Sequence, residues 1–197
     1  MKQLFAIAIL FLCSVFGTHA QTAEQAEDLF WDFERARVEG DKNLIIGVGE
    51  QLLPMSDKLE AKWQTYFRYY LAYAYENNGQ MDKAVPLYLK VVQDVPDYYV
   101  PHRALGYHYL TESNGIAAKI KANPPAAEKQ KLMEEYQAML LKALPYLEKS
   151  YACDPEDNKT LQTINQVVET ISAKANPEQL KERLAEKSKN CVDLLRL

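Results

Sequence analysis

The sequence predicts an all-α protein: a right-handed stack of antiparallel helix pairs, an α-solenoid, with one elongated helical hairpin. An internal repeat is the first observation, because the eight residues from Lys83 recur from Lys142, 59 residues later, with Lys, Ala, Pro and Lys in register. Apolar residues elsewhere recur at helical spacing, and no segment alternates for long enough to predict a strand. Repeated helical units stack because no single unit buries its apolar face alone.

The clearest unit spans residues 65–98 and predicts two helices separated by a turn. On its first helix, Leu71 and Tyr75 share one face, and Ala72 leaves room for the second helix to approach. The residues that carry the pattern are Leu71, Ala72, Tyr75, Gly79, Ala84, Tyr88 and Pro96. Their spacing resembles the tetratricopeptide repeat (TPR), although Arg68 stands where that family usually has a large aromatic residue. The resemblance implies stacked helix pairs whose first helices line a concave groove for a peptide or a partner helix.

Three further units complete a single predicted domain over 21–197. A degenerate repeat over 22–59 precedes the clear unit, a repeat over 99–157 carries about 25 inserted residues, and a capping helix pair covers 158–197. The insertion is expected to lengthen both helices of its pair, because apolar residues keep helical spacing on either side of Pro124. The predicted helices span 22–38, 42–53, 57–78, 81–95, 98–121, 126–153, 157–173 and 177–195.

Residues 1–20 have the features of a secretory signal peptide. Lys2 precedes an apolar run over 4–16, and small residues precede the expected cleavage before Gln21. The run is short for a membrane-spanning helix and no positive charge follows it, so we expect no transmembrane segment in the mature chain. The leader resembles that of exported proteins of the bacterial cell envelope. We therefore expect a periplasmic or extracellular protein.

Composition and the scarcity of reactive residues argue against several function classes. The chain has 27 acidic and 23 basic residues and a net charge of −4, so nucleic acid is not an expected partner. Beyond the leader, only His102 and His108 remain, and neither lies at metal-ligand spacing from a cysteine or carboxylate. We therefore expect no metal and no cofactor. Without a phosphate-binding loop or paired carboxylates, the sequence predicts that the protein is not an enzyme.

Two cysteines remain after the leader is removed, Cys153 and Cys191. Each is expected near the end of a return helix, and an oxidising compartment would permit them to form a disulfide. The alternative is two separately buried thiols, which are common on apolar helix faces. The sequence leaves both arrangements open.

The TPR resemblance also implies which residues line the groove. They are Tyr66, Tyr69, Tyr73 and Asn77 in the clear unit, Arg103, Tyr107 and Thr111 in the next, and Gln162 and Gln166 in the last. The three tyrosines of the clear unit form a stripe on one helix face, rotated away from Leu71 and Tyr75, so we expect them to be exposed. Tyrosine gives a large contact area with few rotamers, which suits an interface. The alternative for each ring is packing between repeats.

Two functions follow from these patterns. The first is a scaffold that binds a protein or peptide through the Tyr-rich concave groove. The alternative is a small-ligand accessory, for a glycan or a peptide, of an envelope uptake system. The shape of the groove separates them, because an open trough suits a polypeptide and a closed pit suits a small molecule.

Overall fold

The computed structural model describes residues 22–193, which are all-helical apart from connections and one isolated bridge between Tyr98 and Val192. The α-helices are α1 (Ala23–Glu39), α2 (Lys42–Leu52), α3 (Ala61–Asn77), α4 (Met81–Asp94), α5 (Tyr99–Lys121), α6 (Ala126–Cys153), α7 (Asn158–Thr170), α8 (Ser172–Ala175) and α9 (Leu180–Lys187). The signal peptide expected over 1–20 lies outside the described residues. Within 22–193, no helix has the length and apolarity needed to cross a membrane.

Local chemistry explains where the first helices begin and end. Thr22 and Gln25 form a reciprocal capping box at the start of α1, and Gly40 ends that helix in the left-handed region at φ 79°. Asp41 caps α2 by accepting hydrogen bonds from two backbone N–H groups. Helices α1 to α6 begin and end within about four residues of the predicted bounds. The predictions of helix type and position are confirmed for these six elements.

Successive helices pack against their neighbours along the chain. Contacts join α1 with α2, α3 with α4 and α5 with α6, and each pair touches the next through α2–α3, α4–α5 and α6–α7. One hydrophobic core runs through these pairs. Tyr75 and Tyr88, which belong to the repeat pattern of the clear unit, are buried, and so is Tyr109 of α5.

Close helix approach depends on glycine at two positions. A Cβ atom at Gly106 of α5 would lie 2.7 Å from Leu147 Cδ2 of α6 and 3.2 Å from the Leu147 backbone nitrogen. At Gly49 of α2, a Cβ would lie 2.5 Å from a methyl group of Leu71. Gly106 stands where the preceding unit has Ala72, so both units keep a small residue between their paired helices.

The last predicted helix, 177–195, is wrong in length and in its packing partner. Residues Pro177–Gln179 form a 3₁₀ turn, α9 ends at Lys187, and its main contact is with α6. Glu148 of α6 is 2% exposed, and its Oε1 accepts hydrogen bonds from Arg183 Nε at 2.9 Å and Nη2 at 2.7 Å. A buried carboxylate needs such a partner, and this ion pair fixes α9 on α6.

The segment after α9 turns back across α6. Lys149 Nζ donates to Asp97 Oδ1 at 2.9 Å and to the backbone oxygens of Lys187 and Asn190. Next to it, a disulfide joins Cys153 and Cys191, whose Cα atoms lie 5.6 Å apart. Of the two arrangements left open by the sequence, the structure has the bonded pair. Lys149 thus bonds the carbonyl of Lys187, the last residue of α9, and that of Asn190 beyond the helix.

The same C-terminal segment caps α5. The Val192 N–H donates to the Asp97 carbonyl at 2.7 Å, and the Tyr99 N–H donates to the Val192 carbonyl at 3.2 Å. The first N–H groups of a helix have no partner within it, and Tyr98 at the N-cap supplies no side-chain bond. Val192 therefore provides an acceptor that the local sequence lacks.

Replacing Gly106 by alanine should destabilise the fold. The added methyl group must displace Leu147, and overpacking of this kind costs typically about 1–3 kcal/mol. Gly115→Ala is the matched control in the same helix, because nothing lies within 4 Å of its Cβ position. That control should raise stability by up to about 1 kcal/mol through helix propensity. Urea unfolding measures both, and equal stabilisation by the two variants would contradict the close contact.

Removing the disulfide should lower the free energy of unfolding by about 2–4 kcal/mol, since the unfolded chain regains the freedom of a closed loop. The test compares wild type, Cys191→Ser and the double variant with Cys153→Ser, unfolded by urea without reductant. Both variants should lose the same amount, because either change breaks the same bond. If a reductant leaves the unfolding curve of the wild type unchanged, the bond is absent or without effect.

Candidate functional site

A cavity of about 490 Å³ lies between α3, α5 and the start of α7, and we term it the charged cavity. Its lining consists of Tyr73, Glu76, Tyr88, Val100, Arg103, Ala104, Tyr107, Asp157 and Lys159. Three residues that the sequence assigns to the groove, Tyr73, Arg103 and Tyr107, therefore meet in one place. They come from the first helices of two successive pairs.

A second cavity of about 390 Å³ continues along α5 toward its lengthened end, and we term it the neutral cavity. Its lining consists of Tyr107, Leu110, Thr111, Ser113, Asn114, Tyr136, Leu140, Thr163, Gln166, Val167 and Thr170. Thr111 and Gln166 are predicted groove residues, and Tyr107 lines both cavities. The two cavities are thus neighbouring sections of one groove, with the Tyr107 ring between them.

A chain of hydrogen bonds holds Tyr107 in place. The Thr160 hydroxyl donates to Asp157 Oδ2 at 2.6 Å, and the Tyr107 hydroxyl lies 2.9 Å from Thr160 Oγ1. Because a threonine hydroxyl has one proton, already given to the carboxylate, Tyr107 is the donor to Thr160. This bond links α5 to α7 across the groove.

Asp157 is held in its ionised form within this chain. Burial raises the pKa of its carboxyl group, but hydrogen bonds from the Thr160 hydroxyl and amide, with the nearby charge of Arg103, bring the pKa below its ordinary value. Asp157 also caps α7, as its side chain accepts the Thr160 N–H at 3.1 Å. The carboxylate therefore serves the fold and has little capacity left for a ligand.

The acidic side chains of the charged cavity have hydrogen-bonded partners, whereas, within the described part of the chain, its basic side chains do not. Glu76 Oε2 accepts a hydrogen bond from the Tyr88 hydroxyl at 2.5 Å, and Asp157 is bonded to Thr160. Across residues 22–193, the side chains of Arg103 and Lys159 make neither an ion pair nor a hydrogen bond. Both are exposed, and Lys159 Nζ lies 5.7 Å from the centre of the Tyr107 ring. Among the described residues, the cavity therefore has two cations without a hydrogen-bonded partner, although Arg103 also interacts with the charge of Asp157.

The expected exposure of Tyr66 and Tyr69 is wrong. The two side chains are only 6% and 7% exposed, whereas Tyr73 is 51% exposed. The Tyr66 hydroxyl donates to Glu34 of α1 at 3.2 Å, and the Tyr69 ring packs on Tyr98 with ring centres 4.9 Å apart. Helix α3 is covered by α1 on one side and by the α4–α5 connection on another, so a single apolar face does not account for its buried surface.

Two further predicted groove residues lie outside both cavities. Asn77 is exposed, and its side-chain amide donates to the Tyr73 carbonyl at 2.8 Å. Gln162 is also exposed and lines neither the charged nor the neutral cavity. The groove residues that the structure groups together are Tyr73, Arg103, Tyr107, Thr111 and Gln166.

Sequence reasoning missed several lining residues. Glu76 and Lys159 bring charge to the first cavity, and Asn114 and Tyr136 come from the inserted part of the long hairpin. The only sequence signal among them is Asp157 with Thr160, a spacing typical of a helix N-cap. That signal predicts the start of α7 but not that this start lies against α5.

Comparisons with known proteins add no relative: no family model, no curated protein and no solved structure matches this chain. In the part of the chain that the structure describes, no three His, Cys, Asp or Glu side chains are grouped as metal ligands would be. Function must therefore be inferred from the groove and its chemistry.

The different burial of Tyr69 and Tyr73 predicts that their replacement changes the free energy of unfolding by different amounts. Tyr69→Ala removes a ring packed against Tyr98, Tyr73 and Tyr88 and should cost about 3–5 kcal/mol of unfolding free energy. Tyr73→Ala, one turn later on the same helix, should change stability by about 0.5 kcal/mol or less. Thermal and urea unfolding of the pair measure this. Equal losses for the two variants would show that Tyr73 also belongs to the core.

Proposed function

We propose that this chain is an exported TPR-type scaffold that binds a polypeptide partner in the groove along α3, α5 and α7. The observation that carries the proposal is the charged cavity, where Tyr73, Arg103 and Tyr107 from successive first helices come together. Exposed tyrosine beside arginine is the composition of energetic centres at protein interfaces. The groove thus has the composition expected of a binding surface.

Three features support the TPR assignment and a right-handed stack of pairs. The internal repeat from Lys83 and Lys142 falls on the second helices of two packed pairs, α4 and α6. Consecutive pairs contact each other in chain order. Small residues separate the paired helices, with Gly106 in the place of Ala72. Repeats of this kind present their first helices to one concave surface.

The length of the groove favours a polypeptide over a small molecule. From Arg103 to Asn114, α5 rises by about 16 Å, and both cavities lie along this stretch. An extended chain of about five residues covers the same distance. Neither cavity is enclosed, which is compatible with a polypeptide that enters from solvent.

Arg103 and Lys159, which lack a hydrogen-bonded partner among the described residues, indicate one chemical feature of the polypeptide. Arg103 can form a charge-assisted, bidentate bond with a carboxylate, and Lys159 adds a second positive charge at the same cavity. The tyrosine rings on either side supply apolar contact. We therefore expect an acidic side chain of the partner between Tyr73 and Tyr107.

Export to the periplasm or the cell exterior belongs to the same proposal. It is supported by the leader-like segment 1–20 and by the disulfide between Cys153 and Cys191, since disulfides persist in oxidising compartments. We propose no enzyme activity, cofactor or nucleic-acid partner.

The partner can be captured from envelope proteins of the host with the mature chain as bait, and its affinity then measured for variants. Arg103→Ala should weaken binding by about 1–3 kcal/mol and reduce its dependence on salt, because one charge contact is lost. Tyr107→Phe, which keeps the ring, should have a smaller effect. Isothermal titration calorimetry at two salt concentrations makes the measurement.

The matched control is Arg35→Ala, because Arg35 is an exposed arginine of α1 that is paired with Asp32 and lies outside both cavities. It should bind as the wild type does. If Arg103→Ala and Arg35→Ala both retain wild-type affinity and salt dependence, the partner does not occupy the charged cavity.

A further inference from the structure

The neutral cavity differs from the charged cavity in its hydrogen-bonding capacity. Every serine and threonine that lines it donates its hydroxyl proton to a carbonyl oxygen three or four residues earlier in the same helix. The bonds are Thr111 to Tyr107 at 3.0 Å, Ser113 to Leu110 at 2.8 Å, Thr163 to Lys159 at 2.9 Å and Thr170 to Gln166 at 2.7 Å. This back-bonding fixes the four hydroxyl protons inside the helices.

These hydroxyl groups can therefore only accept hydrogen bonds from a ligand. Each hydroxyl has one proton and two lone pairs, so the lone pairs remain once the proton is used. Thr111 and Thr170 are exposed and able to offer them, whereas Ser113 is buried. The exposed amides of Asn114 and Gln166 add acceptor oxygens and also N–H donors.

No Asp, Glu, Lys or Arg lines this cavity. An anionic ligand would find no cationic side chain there, and a cationic ligand would find no carboxylate to offset its loss of water. The chemistry that fits is uncharged and rich in N–H or O–H donors. The rings of Tyr107 and Tyr136 supply the apolar part of the surface.

We propose that the neutral cavity is a second subsite for the same polypeptide, selective for an uncharged segment with amide or hydroxyl donors. Asn, Gln, Ser and Thr have such side chains. This inference rests on the proposed function, because it requires a polypeptide bound in the charged cavity. Tyr107 lines both cavities, so an extended chain bound in one can continue into the other. Arg103 and Thr111 are separated by about 12 Å along α5, so the uncharged residue lies three or four positions from the acidic one.

Selection from a phage-displayed library of random dodecapeptides tests this inference with the folded mature chain. For the wild type, enriched sequences should place Asn, Gln, Ser or Thr three or four positions from Asp or Glu. Thr111→Val keeps the shape of the side chain and removes its oxygen. It should abolish the preference for the uncharged donor, retain the acidic preference and bind wild-type-selected peptides about 3- to 10-fold more weakly.

Two further variants separate stability from recognition. Gln166→Leu changes an exposed side chain on α7 and should have the same effect as Thr111→Val, even if one of the two variants were unstable. Ser172→Ala, an exposed residue of α8 outside the cavity, is the control and should bind as the wild type does. Thermal unfolding establishes that each variant is folded.

The outcomes distinguish failure of the inference from failure of the proposed function. Enriched peptides whose binding depends on Arg103 and Tyr107 but not on Thr111 or Gln166 would overturn the second subsite alone. If the wild type enriches no peptides, or if Tyr107→Ala binds the enriched peptides as well as the wild type does, polypeptide binding in the groove would be overturned. A neutral oligosaccharide such as maltohexaose has the same donors. If the wild type binds maltohexaose, Thr111→Val loses that binding and selected peptides do not compete with it, a polypeptide is not the occupant of the neutral cavity.

Discussion

The contact between Gly106 and Leu147 is the constraint on which the groove depends. Leu147 lies so close to α5 that residue 106 has no room for a Cβ atom, and this proximity fixes the long hairpin of α5 and α6. With that face of α5 packed, Arg103, Tyr107 and Thr111 lie one turn apart on a face that borders the two cavities. A small residue in the core of one helix pair thereby positions side chains that line the two cavities.

The C-terminal segment also contacts α5, at the start of that helix. Its Val192 carbonyl accepts the Tyr99 N–H at the start of α5, and the disulfide holds Cys191 against the end of α6. Lys149 and Glu148, adjacent on α6, bind this segment and α9 through buried polar contacts. Removing one partner from such contacts is costly, so they specify one position for the chain end. The wall of the groove is therefore fixed by residues distant from it in sequence.

Helical periodicity was sufficient to predict α1 to α6, whereas the TPR resemblance suggested the groove residues, of which Tyr73, Arg103, Tyr107, Thr111 and Gln166 line the two cavities. Turn signals such as Gly40 and the spacing of Leu71 and Tyr75 predict helix bounds and a core that the structure confirms. In the sequence, Gly106 only matches the position of Ala72 in the preceding unit. Its role in close packing requires knowledge of where Leu147 lies, which no local pattern contains.

The failures have a common physical cause, which is contact with residues remote in sequence. Tyr69 is buried because Tyr98, in a connection without regular structure, packs on its ring. The last helix ends early because Lys149 and a disulfide hold the chain in another conformation. The pairing of Cys153 with Cys191 likewise depends on the path of that segment, which periodicity does not specify.

Hydrogen exchange of the mature chain, with and without a saturating polypeptide partner, tests the central claim most directly. If the partner lies along α3, α5 and α7, exchange should slow at the exposed ends of these helices and remain unchanged in α2 and on the outer face of α6. Protection restricted to α2, α4 or α9, with α5 unchanged, would contradict a binding groove built on Tyr73, Arg103 and Tyr107.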